Sequence, residues 1–244
     1  MIKKFINRVL GRSREPKVIA FDEHGVSRDR ISYGARKVCE VLQGEGFSAY
    51  VVGGAVRDLM LGLQPKDFDV ATDATPEQVH RFMRRSRMIG RRFKLVHAVF
   101  SDEIVEVSTF RSAAPAEVDE ESGRVLRDNV FGNREQDAAR RDFTINALYY
   151  DPSSETVLDY HHGVADLKRR TLRMIGDPRV RFREDPVRML RAVRLAAKLD
   201  FSIDAKTRAP IKEMAPLIDE VPAARVFDEM QIGKSTRLNS SHSS

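Results

Sequence analysis

The 244-residue chain has a single cysteine, Cys39, no internal repeat and no long apolar run. A lone cysteine cannot close an intramolecular disulfide, and no Cys/His cluster has zinc-ligand spacing. A disulfide scaffold and a zinc finger are therefore excluded, and a reducing, cytoplasmic setting is expected. No stretch approaches the roughly 20 consecutive apolar residues that span a bilayer, and the opening MIKKFINRVLGRSREPK lacks the continuous apolar core of a signal peptide, so no membrane role is expected. Hydrophobic residues make up 41% of the chain and charged residues 32%. That is too apolar for broad disorder and enough for one large domain or two small ones. Lys and Arg number 42 against 36 Asp and Glu, a net +6 with a pI near 9.5, which favours a polyanionic partner.

The charge is unevenly spread. Residues 1–17 hold six bases and one acid, with Pro16 interrupting any helix, and read as a basic arm. Asp166 to Lys198 holds eleven bases and four acids, whereas SAAPAEVDEESG (112–123) holds four acids and no base and reads as a loop. Following Asp29 as a plausible N-cap, Ile31, Ala35, Val38 and Leu42 form one helical stripe, with Cys39 beside it as a core residue rather than a nucleophile. AYVV then reads as a buried strand ending at Gly53-Gly54, and AVRDLMLG as a helix stopped by Gly62. DFDVAT is a second strand, TPEQVHRFMRR a helix with Thr75 as N-cap and Pro76 at its first position, and KLVHAVF with EIVEVSTF a hairpin. From Asp166 onward the apolar spacing is helical. The expected architecture is a mixed α/β domain followed by a basic helical one.

The strongest chemical signal is VVGGAVRDLMLGLQPKDFDV. Paired glycines between a strand and a helix let backbone approach a ligand closely, and the following helix start offers unpaired N–H groups suited to phosphate. Asp67 and Asp69, two residues apart on a strand, share one face, with Cα atoms about 6.6 Å apart. Such a carboxylate pair suits Mg²⁺ or Mn²⁺ shared with substrate phosphates; the competing reading is a solvated acidic strand end. A two-metal site wants a further carboxylate, and Glu106, a charge inside the otherwise apolar EIVEVSTF, is the best candidate unless it sits on an edge facing water. Arg111 fits a phosphate contact or a plain surface position equally. In ARRDFTINALYY, Asp142 fits an N-cap, with Arg140 and Arg141 in solvent. In FREDPVRMLRAVRLAAKL, Asp185 as N-cap with Pro186 opens a helix that places Asp185, Arg188 and Arg191 on one strip and buries Leu190, Val193 and Ala197. A guanidinium beside a carboxylate can read the polar edge of a base, or the two can simply form a capping ion pair.

GGAVRD, then D-x-D, EVSTFR, RRDFTINAL and EDPVRMLRAVR, in that order from about His24 to Met230, resemble the class II nucleotidyltransferases, which comprise bacterial poly(A) polymerases and CCA-adding tRNA nucleotidyltransferases. IGRRFKLVHAVF, VLRDNVFG and VLDYHHGVADL are similar to the polymerase branch. The resemblance implies an α/β (α+β) fold, with a nucleotidyltransferase head of small mixed β-sheet and flanking helices followed by an all-helical neck. It implies that Asp67 and Asp69 bind catalytic metals (Mg²⁺ or Mn²⁺) and that Glu106 matches a further acidic position. Gly53, Gly54, Arg57 and Asp58 would hold the nucleotide. Arg141, Asp142 and Asn146 would recognise the ribose, and Glu184, Asp185, Arg188 and Arg191 the base. The implied activity is template-independent transfer of AMP from ATP to RNA 3′ ends, with CCA addition to tRNA or RNA binding without turnover as alternatives. No covalent intermediate is implied, so His97, His161 and His162 are expected to be structural. The expected divisions are a basic arm (1–27), catalytic head (28–163), helical neck (164–230) and a Ser-rich tail (231–244). That tail, GKSTRLNSSHSS from Gly233, has no apolar periodicity and looks non-native where the family continues into a helical body.

Overall fold

The computed structural model describes residues 15–90, 94–112, 117–118, 125–127 and 131–235. Most of the basic arm, most of the acidic 112–123 segment, Arg91-Arg92-Phe93 and the tail after Ser235 lie outside the described residues. The chain divides into two compact units. The first takes the described residues up to Arg140 together with Leu148–Tyr160; the second takes Arg141–Ala147 and the described residues from His161 onward. Residues 141–147 thus leave the stretch expected as head and join the C-terminal unit.

The first unit is built on an eight-stranded sheet of β1 (Lys17–Ile19), β2 (Ala49–Val52), β3 (Asp69–Thr72), β4 (Ser86–Ile89), β5 (Leu95–Val99), β6 (Ile104–Thr109), β9 (Leu148–Asp151) and β10 (Thr156–Asp159). Two short strands, β7 (Glu117–Val118) and β8 (Val125–Arg127), pair separately. The order across the large sheet is β1-β10-β9-β2-β3-β6-β5-β4, with only β3 and β6 parallel. Ala49, Val51 and Val52 of β2 are all buried, as a central strand requires. At its end Gly53 takes φ 74°, ψ −134°, a conformation open in practice only to glycine, and the chain turns into the helix Gly54–Met60. The helix Pro76–Phe82 starts as expected, with a reciprocal capping box between Thr75 and Gln78 and Pro76 in its first turn.

Two local expectations fail here. Ser32, not Asp29, caps the helix Tyr33–Gly44, its hydroxyl accepting from the Ala35 N–H, while Asp29 sits in the 3₁₀ turn Arg28–Arg30. Ile31 is buried but extended, so it interrupts the run before the helix begins. The stripe Ala35, Val38, Cys39 and Leu42 is buried. Edge strand β4 escapes periodicity altogether, because its residues are half-buried or exposed and carry no alternating apolar face.

In the second unit the helices Pro178–Glu184 and Val187–Leu199 follow one another across Asp185-Pro186. Asp185 is not an N-cap: it closes the first helix, and Pro186 stands at the N-cap position of the second. The same Asp-Pro signal at Asp177-Pro178 does cap a helix, with the Asp177 carboxylate accepting from the Arg179 and Val180 N–H groups. The buried face of Val187–Leu199 is Val187, Met189, Ala192, Leu195 and Leu199, while Leu190 is half-buried and Val193 and Ala197 are exposed. The helix is rotated from the expected stripe, and its Arg191 is held by Asp142 and Glu229 as described below. Beyond it lie the short helices Ala205–Arg208 and Ile211–Met214 and the helix Ala223–Ser235. No helix among the described residues is long and apolar enough to cross a membrane.

Candidate active site

Asp67 and Asp69 are both exposed and flank buried Phe68, so the pair shares an open face as the period-2 pattern requires. Asp69 begins β3, and Asp67 lies two residues before it, outside the strand that was expected to start at Asp67. Across the parallel pair Asp69 stands in register with Glu106, one inter-strand spacing of about 4.8 Å away. Glu106 in turn is in register with His97 on β5, whose Nε2 lies 3.6 Å from Glu106 Oε2. Glu106 is therefore an interior-strand acid on the face of Asp69, not an edge residue. Among the described residues no three His, Cys, Asp or Glu side chains gather tightly enough to hold a metal by themselves. A pair of exposed carboxylates fits Mg²⁺ or Mn²⁺ of the kind completed by water and substrate phosphates rather than by a protein cage.

The glycine turn and its arginine form a single local device. The Arg57 guanidinium, buried with Asp58, donates Nε–H to Asp58 Oδ1 at 2.7 Å. It lies against the helix start: a Cβ on Gly54 would sit 3.3 Å from Arg57 Nη2. The G-x-x-R-D spacing thus packs a charge-compensated guanidinium under the turn. Arg111 is half-buried rather than a surface residue, and its backbone N–H donates to Asp137 Oδ1 at 3.2 Å. Burial and nearby Arg140 lower its pKa from the ordinary arginine value, opposed by Asp137 and Glu106. Asp137 is fully buried and also accepts from Tyr149 Oη at 2.6 Å and Arg140 Nε at 2.9 Å. A cavity of about 550 Å³ in this unit is walled by Tyr50, Arg134, Asp151 and Tyr160, and none of the expected site residues lines it.

In the second unit Asp142 gathers the others. Its Oδ1 accepts from the Phe143 N–H at 2.7 Å and from Asn146 Nδ2 at 3.1 Å, and its Oδ2 from Arg191 Nη1 at 3.2 Å. Arg141 reaches the Asn146 carbonyl at 3.5 Å. Arg191 also donates Nε–H to Glu229 Oε1 at 2.7 Å, and Arg194 donates to the other oxygen at 2.8 Å. Burial opposes the Arg191 charge, but Asp142 and Glu229 outweigh it and raise its pKa. Asp185 and Arg188 do not pair with each other. Arg188 Nη1 donates to Glu184 Oε2 at 2.9 Å and to the Arg181 carbonyl at 2.8 Å, while both Asp185 oxygens accept from Arg225 Nη2 at 3.0 and 3.1 Å. Arg181, Arg194, Arg225 and Glu229 were not singled out from sequence. Arg225 and Glu229, four residues apart on one helix, look like an ordinary intrahelical pair; each instead reaches a residue expected to read the base.

A family model described as the poly A polymerase head domain matches residues 49–173, and a second, described as the probable RNA and SrmB-binding site of polymerase A, matches 200–231. The chain belongs to the poly A polymerase head domain family. Within this family it is 50% identical over 225 residues to Poly(A) polymerase I of Haemophilus influenzae, covering 89% of this chain and 50% of the relative. It is 37% identical over 202 residues to a CCA-adding enzyme of Enterococcus faecalis, covering 82% of this chain and 49% of the relative. The crystal structure of the Bacillus stearothermophilus CCA-adding enzyme in complex with CTP superposes with a TM-score of 0.69 at 35% identity, over 81% of this chain and 47% of that one. The chain spans about half the length of the curated relatives it matches. The mixed α/β head and a helical C-terminal region are those of this family, although the neck expected to be all-helical also holds a short parallel pair, Thr171–Leu172 with Ser202–Ile203.

Proposed function

We propose that this chain carries the catalytic head and neck of a template-independent RNA adenylyltransferase, which transfers AMP from ATP to RNA 3′ ends with release of pyrophosphate. The observation that carries the reading is the acidic row itself: exposed Asp67 and Asp69 on one face, with Glu106 in register beside Asp69. The stronger likeness to Poly(A) polymerase I than to a CCA-adding enzyme favours adenylate over CCA addition. The reaction joins the RNA 3′-oxygen to the α-phosphorus of ATP and breaks the bond to the β-phosphate, so no covalent enzyme intermediate is needed. Asp67 and Asp69 would hold Mg²⁺ or Mn²⁺, which when bound supplies charge stabilisation to the phosphates and activates the attacking hydroxyl. Gly53, Gly54 and the Arg57–Asp58 pair shape the turn against which the triphosphate packs.

Asp142 and Asn146, joined by a hydrogen bond, offer an acceptor and a donor to ribose hydroxyls, with Arg141 beside them. Glu184, Asp185, Arg188 and Arg191 present the charged edge that orients the adenine, fixed by Arg181, Arg225 and Glu229. Full-length chain with Mg²⁺, an oligoribonucleotide and single nucleotides is expected to extend the primer with ATP alone. Asp69→Ala is expected to abolish extension while leaving far-ultraviolet circular dichroism unchanged. Undiminished extension by that variant would remove the metal-site assignment. CCA addition is the second reading, favoured by the likeness to the E. faecalis enzyme. CTP-dependent extension confined to tRNA lacking its 3′ end would replace the first reading with this one.

A further inference from the structure

The row that holds Asp69 and Glu106 does not stop there. Glu106 is in register with His97 on β5, and His97 with Arg87 on edge strand β4. Residues opposite one another in a sheet point to one face, so Asp69, Glu106, His97 and Arg87 form a line running from acid to base over three inter-strand spacings, about 14 Å. Along β5 and β6 the other face is buried through Val96, Ala98, Val105 and Val107, whereas the face of this line is open. The Val99 N–H donates to the Arg85 carbonyl at 2.7 Å, continuing the ladder by one pair and setting Arg85 beside Arg87. Arg84, Arg85 and Arg87 are exposed, and their guanidinium groups have no ion pair or hydrogen bond among the described residues. Ile89 and Ile104, 42% and 57% exposed, lie on the same face of their strands.

We propose that this open face of β4 and β5, with Arg85, Arg87 and His97, holds the sugar-phosphate backbone of the RNA primer strand and leads its 3′ end to Asp69 and Glu106. The inference rests on the adenylyltransferase reading only for where the strand ends. Uncompensated guanidinium groups bind phosphates with release of counterions, and an imidazole ring and exposed isoleucines beside them give bases a flat, apolar surface to rest on. The acidic end of the row repels phosphate unless a cation intervenes, so the backbone is held at the basic end and only the terminus approaches the carboxylates. An edge strand that carries Arg87 and is preceded by Arg84 and Arg85 also resists pairing with another sheet, which leaves the face free for a polyanion.

Binding of a fluorescently labelled oligoribonucleotide to the full chain, measured by anisotropy without divalent metal across a salt series, tests this apart from catalysis. Each single-strand phosphate contact contributes about 0.7 to the slope of log affinity against log salt. Arg85→Ala combined with Arg87→Ala should therefore lower the slope by about 1.4 and weaken binding about 10-fold at moderate salt. Lys37→Ala, which removes one positive charge from a lysine paired with Glu40, should leave both unchanged rather than lower the slope by the roughly 0.7 of one contact. ATP affinity of the double variant, measured separately, should equal that of the wild type. An unchanged slope in the double variant, an equal loss in Lys37→Ala, or a wild-type chain that binds no RNA at any salt would overturn the proposal. Wild-type extension with ATP, run in parallel, reports separately on the reading of the preceding subsection.

Discussion

Glu229 gives the most quantitative test of the second unit. Its side chain is 8% exposed and accepts from two guanidinium groups, Arg191 at 32% and Arg194 at 17% exposure. Removing the carboxylate leaves two like charges facing each other with most of their water already displaced. Each charge-assisted hydrogen bond contributes about 1.5–3 kcal/mol, and removing one partner of a buried pair costs about 3–5 kcal/mol. The Arg191 share is discounted because that residue is a third exposed and keeps Asp142 as a partner. Glu229→Ala is thus expected to destabilise the fold by about 3 kcal/mol, and Glu229→Gln, which keeps one acceptor oxygen, by about half of that. Thermal denaturation followed by circular dichroism should show a midpoint about 10 °C lower for the alanine variant. Combining Glu229→Ala with Arg194→Ala should cost less than the sum of the two single changes, because the second removes a charge the first has orphaned. A Glu229→Ala protein within about 1 kcal/mol of wild type, or strict additivity in the double variant, would refute the buried-pair reasoning and mark these contacts as solvated.

The remaining expectations concern the first unit. Gly53→Ala should destabilise by about 1–3 kcal/mol, since φ 74° with ψ −134° strains any side chain, whereas Gly54→Ala asks only a few tenths of an ångström from Arg57; equal denaturation midpoints for the two would contradict this. Cys39 is 1% exposed, and burial pushes its thiol well above the ordinary range. Disulfide-exchange labelling of the folded chain should therefore run about 100-fold or more slower than in denaturant, the factor set by an opening free energy of about 3 kcal/mol. Comparable rates in the two conditions would show that the helix Tyr33–Gly44 opens readily.

What could be read from the sequence divides by range along the chain. Asp67 and Asp69 could be proposed as a pair because strand alternation is local and period 2; Phe68 between them is buried, although the strand itself begins only at Asp69. Glu106 was legible as a charge misplaced in an apolar strand. Its register with Asp69 was not, because a parallel pair joins strands separated by a helix and two further strands, and nothing in either segment specifies the alignment. Strand β4 was missed for the opposite reason: on an edge, neither face must be apolar.

The second unit shows the same limit more sharply. A dipeptide is local evidence, and Asp-Pro occurs at Asp177 and at Asp185, yet only the first caps a helix. At Asp185 the carboxylate is taken by Arg225, 40 residues on, and Arg191 is held by Asp142 and Glu229, 49 and 38 residues away. Hydrophobic periodicity assigns the buried face of a helix by assuming that charges face water. Where distant carboxylates wait for an arginine, that assumption fails: Arg191, held by Asp142 and Glu229, turns inward and Val193 turns out. A helix whose apolar stripe and arginine stripe compete for the interior thus points to carboxylates elsewhere in the chain. In this protein those carboxylates gather the residues proposed to recognise the nucleotide.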